Sequence, residues 1–260
     1  MSLDLQERGI DDDRPAGMST EEWEHRVELA ACYRIFDLLG WTEMIFNHIS
    51  LRLPSDEPRL LINPFGLAYG EVTAANLVAI DFDGNAVDPD AWRVNSAGAL
   101  IHTAIHASRP DAHVVMHTHT TAGCAVAALE RGLDPNNFYS AQLDGAIGYH
   151  EFEGISNDKD EQPRLVESLG DHSLMILRNH GLLVGGTSIA EAFHMIYMLE
   201  RACAAQVAAL SCGREVILPP HDVCEHTAQQ FRGQENDAHY SWMWESALRM
   251  IESGRPDYRS

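Results

Sequence analysis

The sequence predicts a single α/β domain built on a mixed or antiparallel central sheet. Three observations lead there. Short apolar, β-branched runs alternate with longer helical patterns, as layered α/β domains require. No G-x-G-x-x-G occurs in the chain, so a dinucleotide-binding doubly wound sheet has no support. With 260 residues, 45% of them hydrophobic, the chain has the apolar mass for a substantial core.

The elements follow in order. Residues 1–18 read as an acidic, solvated arm. Ser19-Thr20-Glu21-Glu22 is a capping box that opens a helix running to Leu39, where Gly40 stops it. Ile45 to Leu53 alternates as a half-buried strand, and Arg59 to Asn63 is a second strand that breaks at Pro64-Phe65-Gly66. Leu77 to Asp81 is a third, followed by the turn Asp83-Gly84-Asn85. Gly98 to Ser108 reads as a helix ended by Arg109-Pro110. Ala112 to His119 is an apolar strand, and Thr121 to Arg131 is an alanine-rich helix stopped by Gly132. A polar loop, Asn157-Asp158-Lys159-Asp160-Glu161, leads to a short helix ending at Leu169. Ser173 to Arg178 and Leu182 to Val184 are strands around Asn179-His180-Gly181. Ser188-Ile189-Ala190-Glu191 caps the longest helix, which ends near Cys212-Gly213. A last helix is expected from Asn236 to Glu252.

Charge excludes several functions. The chain carries 18 Lys and Arg against 39 Asp and Glu, a net charge of −21. Nucleic acid and anionic membrane surfaces both need clustered cations, so neither is an expected partner. The five cysteines are scattered and form no C-x-x-C pair, which fits reduced core thiols in a cytoplasmic protein. The first residues lack the basic and apolar regions of a signal peptide, and no stretch is apolar for long enough to span a bilayer.

His117-Thr118-His119 ends a strand, and side chains two apart on a strand share a face. Two imidazoles projecting together suit a zinc site, whose catalytic form uses about three protein ligands and an open position. The pair alone is weak evidence in a chain with 14 histidines. His180, in Arg178-Asn179-His180-Gly181, is either a third ligand or a turn histidine, and spacing does not decide between them. His102 and His106, one helical turn apart, read as a packed or supporting pair, because no Glu follows the first as in H-E-x-x-H. No phosphate-binding loop and no G-x-S-x-G elbow is present. Cys124 sits in an apolar helix that disfavours a thiolate. The single lysine, Lys159, lies among Asp158, Asp160 and Glu161, which favour its charged form and disqualify it as a Schiff-base amine. Carbon–carbon chemistry in this chain would therefore need a metal as its electron sink.

Several motifs in one order resemble the class II aldolase/adducin family. They are Asn47-His48-Ile49-Ser50, Leu61-Ile62-Asn63-Pro64-Phe65-Gly66, Ser108-Arg109-Pro110-Asp111, His117-Thr118-His119 and Arg178-Asn179-His180-Gly181-Leu182. The resemblance covers roughly residues 20–212. It implies an α/β/α layered domain with a mainly antiparallel sheet over residues 19–213. Residues 214–260 would then form an extension whose helix packs on the domain or on a neighbouring subunit. It further implies a homotetramer and a metal held by His117, His119 and His180, zinc first, with manganese, cobalt or nickel as alternatives. Asn47, Gly66 and Ser96 fall where a small-molecule substrate would bind, and the aldolases' catalytic Tyr falls near Tyr139.

The departures matter equally. The aldolases' Ser-Ser-Glu run reads Ser96-Ala97-Gly98 here, so the catalytic Glu position holds a residue without a side chain. A general acid/base contributes about a hundred- to ten-thousand-fold, which puts aldol cleavage by the family route in question. The family's phosphate-binding Thr-Gly pair reads Phe65-Gly66, which argues against a sugar phosphate. The resulting expectation is a metal-dependent lyase acting on a small hydroxy-carbonyl or hydroxy-acid compound, by retro-aldol cleavage or decarboxylation through a metal-stabilised enediolate. The alternative is a non-catalytic, adducin-like assembly module with a vestigial site.

Overall fold

The computed structural model describes residues 14–54, 58–155, 158–234, 237–254 and 256–260. Of the expected acidic arm, residues 1–13 lie outside the described residues, as do Asn157 of the Lys159 loop and Asn236 at the start of the expected last helix. Ser19 accepts a hydrogen bond from the Glu22 amide at 3.1 Å and opens α1 (Thr20–Leu39), and Gly40 closes it. Seven strands follow among helices: β1 (His48–Leu53), β2 (Arg59–Ile62), β3 (Val78–Ile80), β4 (Val114–Thr118), β5 (Ile147–His150), β6 (Leu174–Leu177) and β7 (Gly181–Gly186). They form one sheet in the order β3-β2-β1-β4-β7-β6-β5. Every neighbouring pair is antiparallel except β5 and β6. That parallel pair is joined by α5 (Gln162–Leu169), as a crossover demands.

Strand alternation sorts the side chains into two cores. Ile49, Leu51, Val114, Met116, Leu182 and Val184 pack with α1 and with α6 (Ile189–Ser211). Val115, Met175, Leu177 and Leu183 pack with α5 and with α2 (Ser96–Ser108), beside a smaller cluster of Leu60, Ile62, Val78, Ile80 and Ala99. The result is the three-layer α/β/α domain expected from the sequence. Where β1 and β2 splay apart, the Tyr33 hydroxyl takes over from the ladder: it accepts from the Ile49 and Asn63 amides at 3.0 and 3.1 Å and also bonds the Ile49 carbonyl.

Several boundaries differ from the sequence reading. β1 begins at His48 rather than Ile45, because residues 43–46 turn, with the Phe46 amide bonded to the Glu43 carbonyl at 2.9 Å and Met44 at φ 48°. The alanine-rich helix, α3 (Thr121–Ala127), stops short of Arg131. The Ala127 carbonyl is taken by the Asn179 amide at 3.1 Å, so it is engaged outside the helix. α2 starts two residues early, capped by Asn95, whose side chain accepts from the Ala97 amide at 3.1 Å. Three elements carry no strong signal and were not expected: β5, α4 (Phe138–Gln142) and α7 (His221–Gln234). α8 (Asp237–Glu252) packs on α1 and α6. Lys159 bonds Asp83 at 3.1 Å. Among the described residues no helix is long and apolar enough to cross a membrane.

Glu28 of α1 bonds Trp244 of α8, and burial pushes its carboxyl up to about 7 against the opposing effect of that bond. Its folded pKa lies above the unfolded value of 4.5, so its protonated form is favoured by folding. The associated stability is present below pH 4.5 and lost as pH rises through 7. The loss is up to about 3 kcal/mol. Glu28→Gln is expected to raise the urea midpoint at pH 8 and to leave it nearly unchanged at pH 4.5.

Candidate metal centre

The same alternation that builds the core builds the site. His48 and Ser50 of β1 and His117 of β4 take the face toward α2, while Thr118 points to the opposite face. His48 and His117 are cross-strand partners, and their rings stack with centroids 5.2 Å apart at 23°. His119 lies just past the end of β4, and His180 sits on the turn between β6 and β7, where Asn179 adopts φ 54°. A side chain at Gly181 would run into the Thr118 carbonyl and come within 3.0 Å of the His119 ring and 3.3 Å of the His117 ring. Glycine there lets the turn close onto β4 and deliver His180.

One nitrogen from each of His117, His119 and His180 lies within 4.8 Å of the others. The imidazoles are oriented by partners behind them. His117 Nδ1 donates to the Leu182 carbonyl at 2.8 Å, and His119 Nδ1 pairs with the Glu43 carboxylate. Neither partner can donate in return, so both rings present Nε2 to the centre, the arrangement that outer carboxylates and carbonyls impose on metal-bound histidines. Those two Nε2 atoms approach to 2.6 Å. With His180, three imidazoles whose ligand nitrogens all lie within 4.8 Å of one another, two of them with Nε2 lone pairs turned inward, make a donor set that fits a divalent metal. Burial, reinforced by His119, His48 and His180, pushes the His117 imidazole well below its usual range. Burial and then His119 and His150 bring His180 down to about 4. Neutral imidazoles are the ligating form.

Two supporting residues were invisible in the sequence. Glu43 reaches His119 from the turn before β1. Glu200 of α6, buried, accepts from the Thr118 hydroxyl at 2.5 Å and the Thr120 hydroxyl at 2.6 Å, clamping the chain on both sides of His119. Only tertiary folding brings either carboxylate to the histidines.

The other expected residues lie on several different elements. Asn47, immediately before β1, is buried, and neither end of its side-chain amide has a hydrogen-bond partner among the described residues. A buried amide left unpaired costs about 1–3 kcal/mol, which a ligand would recover. Ser96 is exposed in the first turn of α2, and Gly66 is exposed at φ 107°. Tyr139 lies on α4 with its ring 5.4 Å from the Arg201 guanidinium carbon. His102 and His106 are fully buried and bond to Ser50, the supporting arrangement expected of them. Cys124 lies beside the site, its thiol 2.9 Å from the His180 carbonyl and pushed up by burial.

The model of the Class II Aldolase and Adducin N-terminal domain matches residues 27–207. A crystal structure of an aldolase II superfamily protein from Pseudomonas syringae superposes with a TM-score of 0.90 at 45% identity, covering 94% of this chain and 98% of that one. The L-fuculose 1-phosphate aldolase of Glaciozyma antarctica PI12 superposes with a TM-score of 0.80 at 26% identity, covering 95% of this chain and 97% of that one. Alpha-adducin of Rattus norvegicus is 45% identical over 189 residues, which are 72% of this chain and 26% of adducin.

Proposed function

Because the chain belongs to the class II aldolase and adducin family, we propose that it is a divalent-metal-dependent lyase. Its substrate would be a small hydroxy-carbonyl or hydroxy-acid compound, and its metal zinc, or else manganese, cobalt or nickel. The observation that carries this reading is the convergence of His117, His119 and His180, with two imidazoles held from behind so that their lone pairs meet.

When bound, the metal would supply Lewis acidity to the substrate. The chain's own residues do the rest. His117, His119 and His180 hold the ion, and Glu43 and the Leu182 carbonyl keep two of the rings aimed. The unpartnered Asn47 amide offers its Nδ2 hydrogens as donors and its Oδ1 as an acceptor to a substrate. Ser96 and Gly66 are the further candidates for substrate contact, and Tyr139 is the candidate proton donor. Gly98 has no side chain to take a proton from a hydroxyl, so decarboxylation, which needs no such step, suits this chain better than aldol cleavage. A homo-oligomer, a tetramer by family resemblance, is part of the proposal, and a monomer mass by light scattering would refute it.

Turnover of a panel of small 3-hydroxy-carbonyl and hydroxy-acid compounds is the test. Activity is expected to fall by two orders of magnitude or more, on the order of 3 kcal/mol, after chelation, and to return with zinc. Turnover that survives complete metal removal would contradict the reading. Gly98 also favours a second reading, an assembly module like the matched part of adducin, and that reading expects no metal-dependent turnover at all.

A further inference from the structure

Behind the three histidines runs a buried polar chain between β1 and α2. His106 Nδ1 lies 2.7 Å from the Ala112 carbonyl, His106 Nε2 lies 2.7 Å from Ser50 Oγ, Ser50 Oγ lies 2.6 Å from His102 Nδ1, and His102 Nε2 lies 3.0 Å from His48 Nδ1. All four side chains are at most 4% exposed.

We propose that the Ala112 carbonyl, acting through His106, Ser50 and His102, holds His48 in the tautomer with Nε2 unprotonated, so that His48 offers a fixed hydrogen-bond acceptor to a substrate hydroxyl. The substrate half of this inference rests on the lyase reading above; the tautomer half does not.

The derivation counts donors and acceptors along the chain. A carbonyl oxygen only accepts, so His106 Nδ1 carries a proton. In a neutral ring its Nε2 is then an acceptor, and the single Ser50 hydroxyl proton must point to it. Ser50 Oγ can therefore only accept from His102, which puts a proton on His102 Nδ1 and leaves its Nε2 as an acceptor. His48 Nδ1 supplies the matching proton. The last nitrogen, His48 Nε2, is left with a lone pair. The polar chain is buried and, among the described residues, its contacts include no carboxylate, which favours neutral rings, and burial brings His106 at its far end down to about 3.

The geometry places that lone pair usefully. The His48 ring stacks on His117, and its Cδ2–Nε2 edge lies against Gly98 in the first turn of α2. A Cβ at position 98 would overlap the imidazole, so glycine is what allows His48 to stand there. A neutral acceptor between the α2 N-terminus and the metal ligands recognises a hydroxyl and gains nothing from a group that cannot donate.

Long-range proton–nitrogen NMR on protein carrying labelled histidine reads the tautomer directly, without metal. His48 is expected to show protonated Nδ1 and unprotonated Nε2. Ser50→Ala, which cuts the chain two links away, is expected to admit the other tautomer, and Ser50→Thr, which keeps the hydroxyl, to preserve the first. In zinc-loaded protein, glycolate is expected to bind about tenfold tighter than acetate, with that preference reduced in Ser50→Ala. A protonated His48 Nε2 in the wild type overturns the inference, and so does an equal affinity for the two acids. Failure of the wild type to take up zinc, measured on the same sample, would count against the lyase reading and leave the tautomer result standing.

Discussion

Protein carrying His117→Ala and His119→Ala together is expected to purify with background metal, against about one divalent ion per chain for the wild type. The size of the effect follows from ligand count. A site with three protein ligands that loses two retains only His180, and one imidazole does not hold zinc against solvent. The fold is expected to survive. His119 is partly exposed, and His117 contributes one bond to the Leu182 carbonyl inside a ladder that holds β4 to β7 over five residue pairs. Metal analysis by plasma emission, with circular dichroism as the folding control, measures both. Undiminished metal in the double variant would remove the basis for the lyase reading.

Gly98→Ala is expected to destabilise the protein by about 1–3 kcal/mol, a large effect for adding one methyl group. The added Cβ would fall inside the His48 imidazole, which is locked between His117 and His102 and has little freedom to move. Gly98→Glu, which would reinstate the carboxylate that the aldolase resemblance leads one to look for, meets the same obstacle. It is expected to lose stability rather than gain activity. Removing the obstacle should remove the penalty. In urea titrations, His48→Ala combined with Gly98→Ala is expected to cost less than the two single changes added together, by about 1–2 kcal/mol. Strict additivity would mean that the two residues do not compete for the same space.

That competition explains what was and was not legible in the sequence. Caps were readable because they are local: Ser19, Gly40 and Ser188 each mark their helix end within a few residues. The layered fold was readable because period-2 and period-3.6 patterns alternate cleanly. The His117/His119 pair was readable because strand geometry puts positions two apart on one face. By contrast, His180 could be joined to that pair only through family resemblance, since the turn that delivers it depends on Gly181 packing against β4. Gly98 was legible as a missing carboxylate but not as the space that admits His48, because the two residues meet only across β1 and α2. Glu43 and Glu200 act through His119 and its flanking threonines, contacts that no sequence spacing encodes. α4 is only five residues long, and α7, at fourteen, has too few apolar residues in register to stand out.

The most direct measurement is X-ray absorption at the zinc edge of the purified, zinc-loaded protein. A shell containing three imidazole nitrogens at about 2.0–2.1 Å is the result expected if His117, His119 and His180 form the centre. A shell with no more than one imidazole, or with sulfur from Cys124, would contradict it.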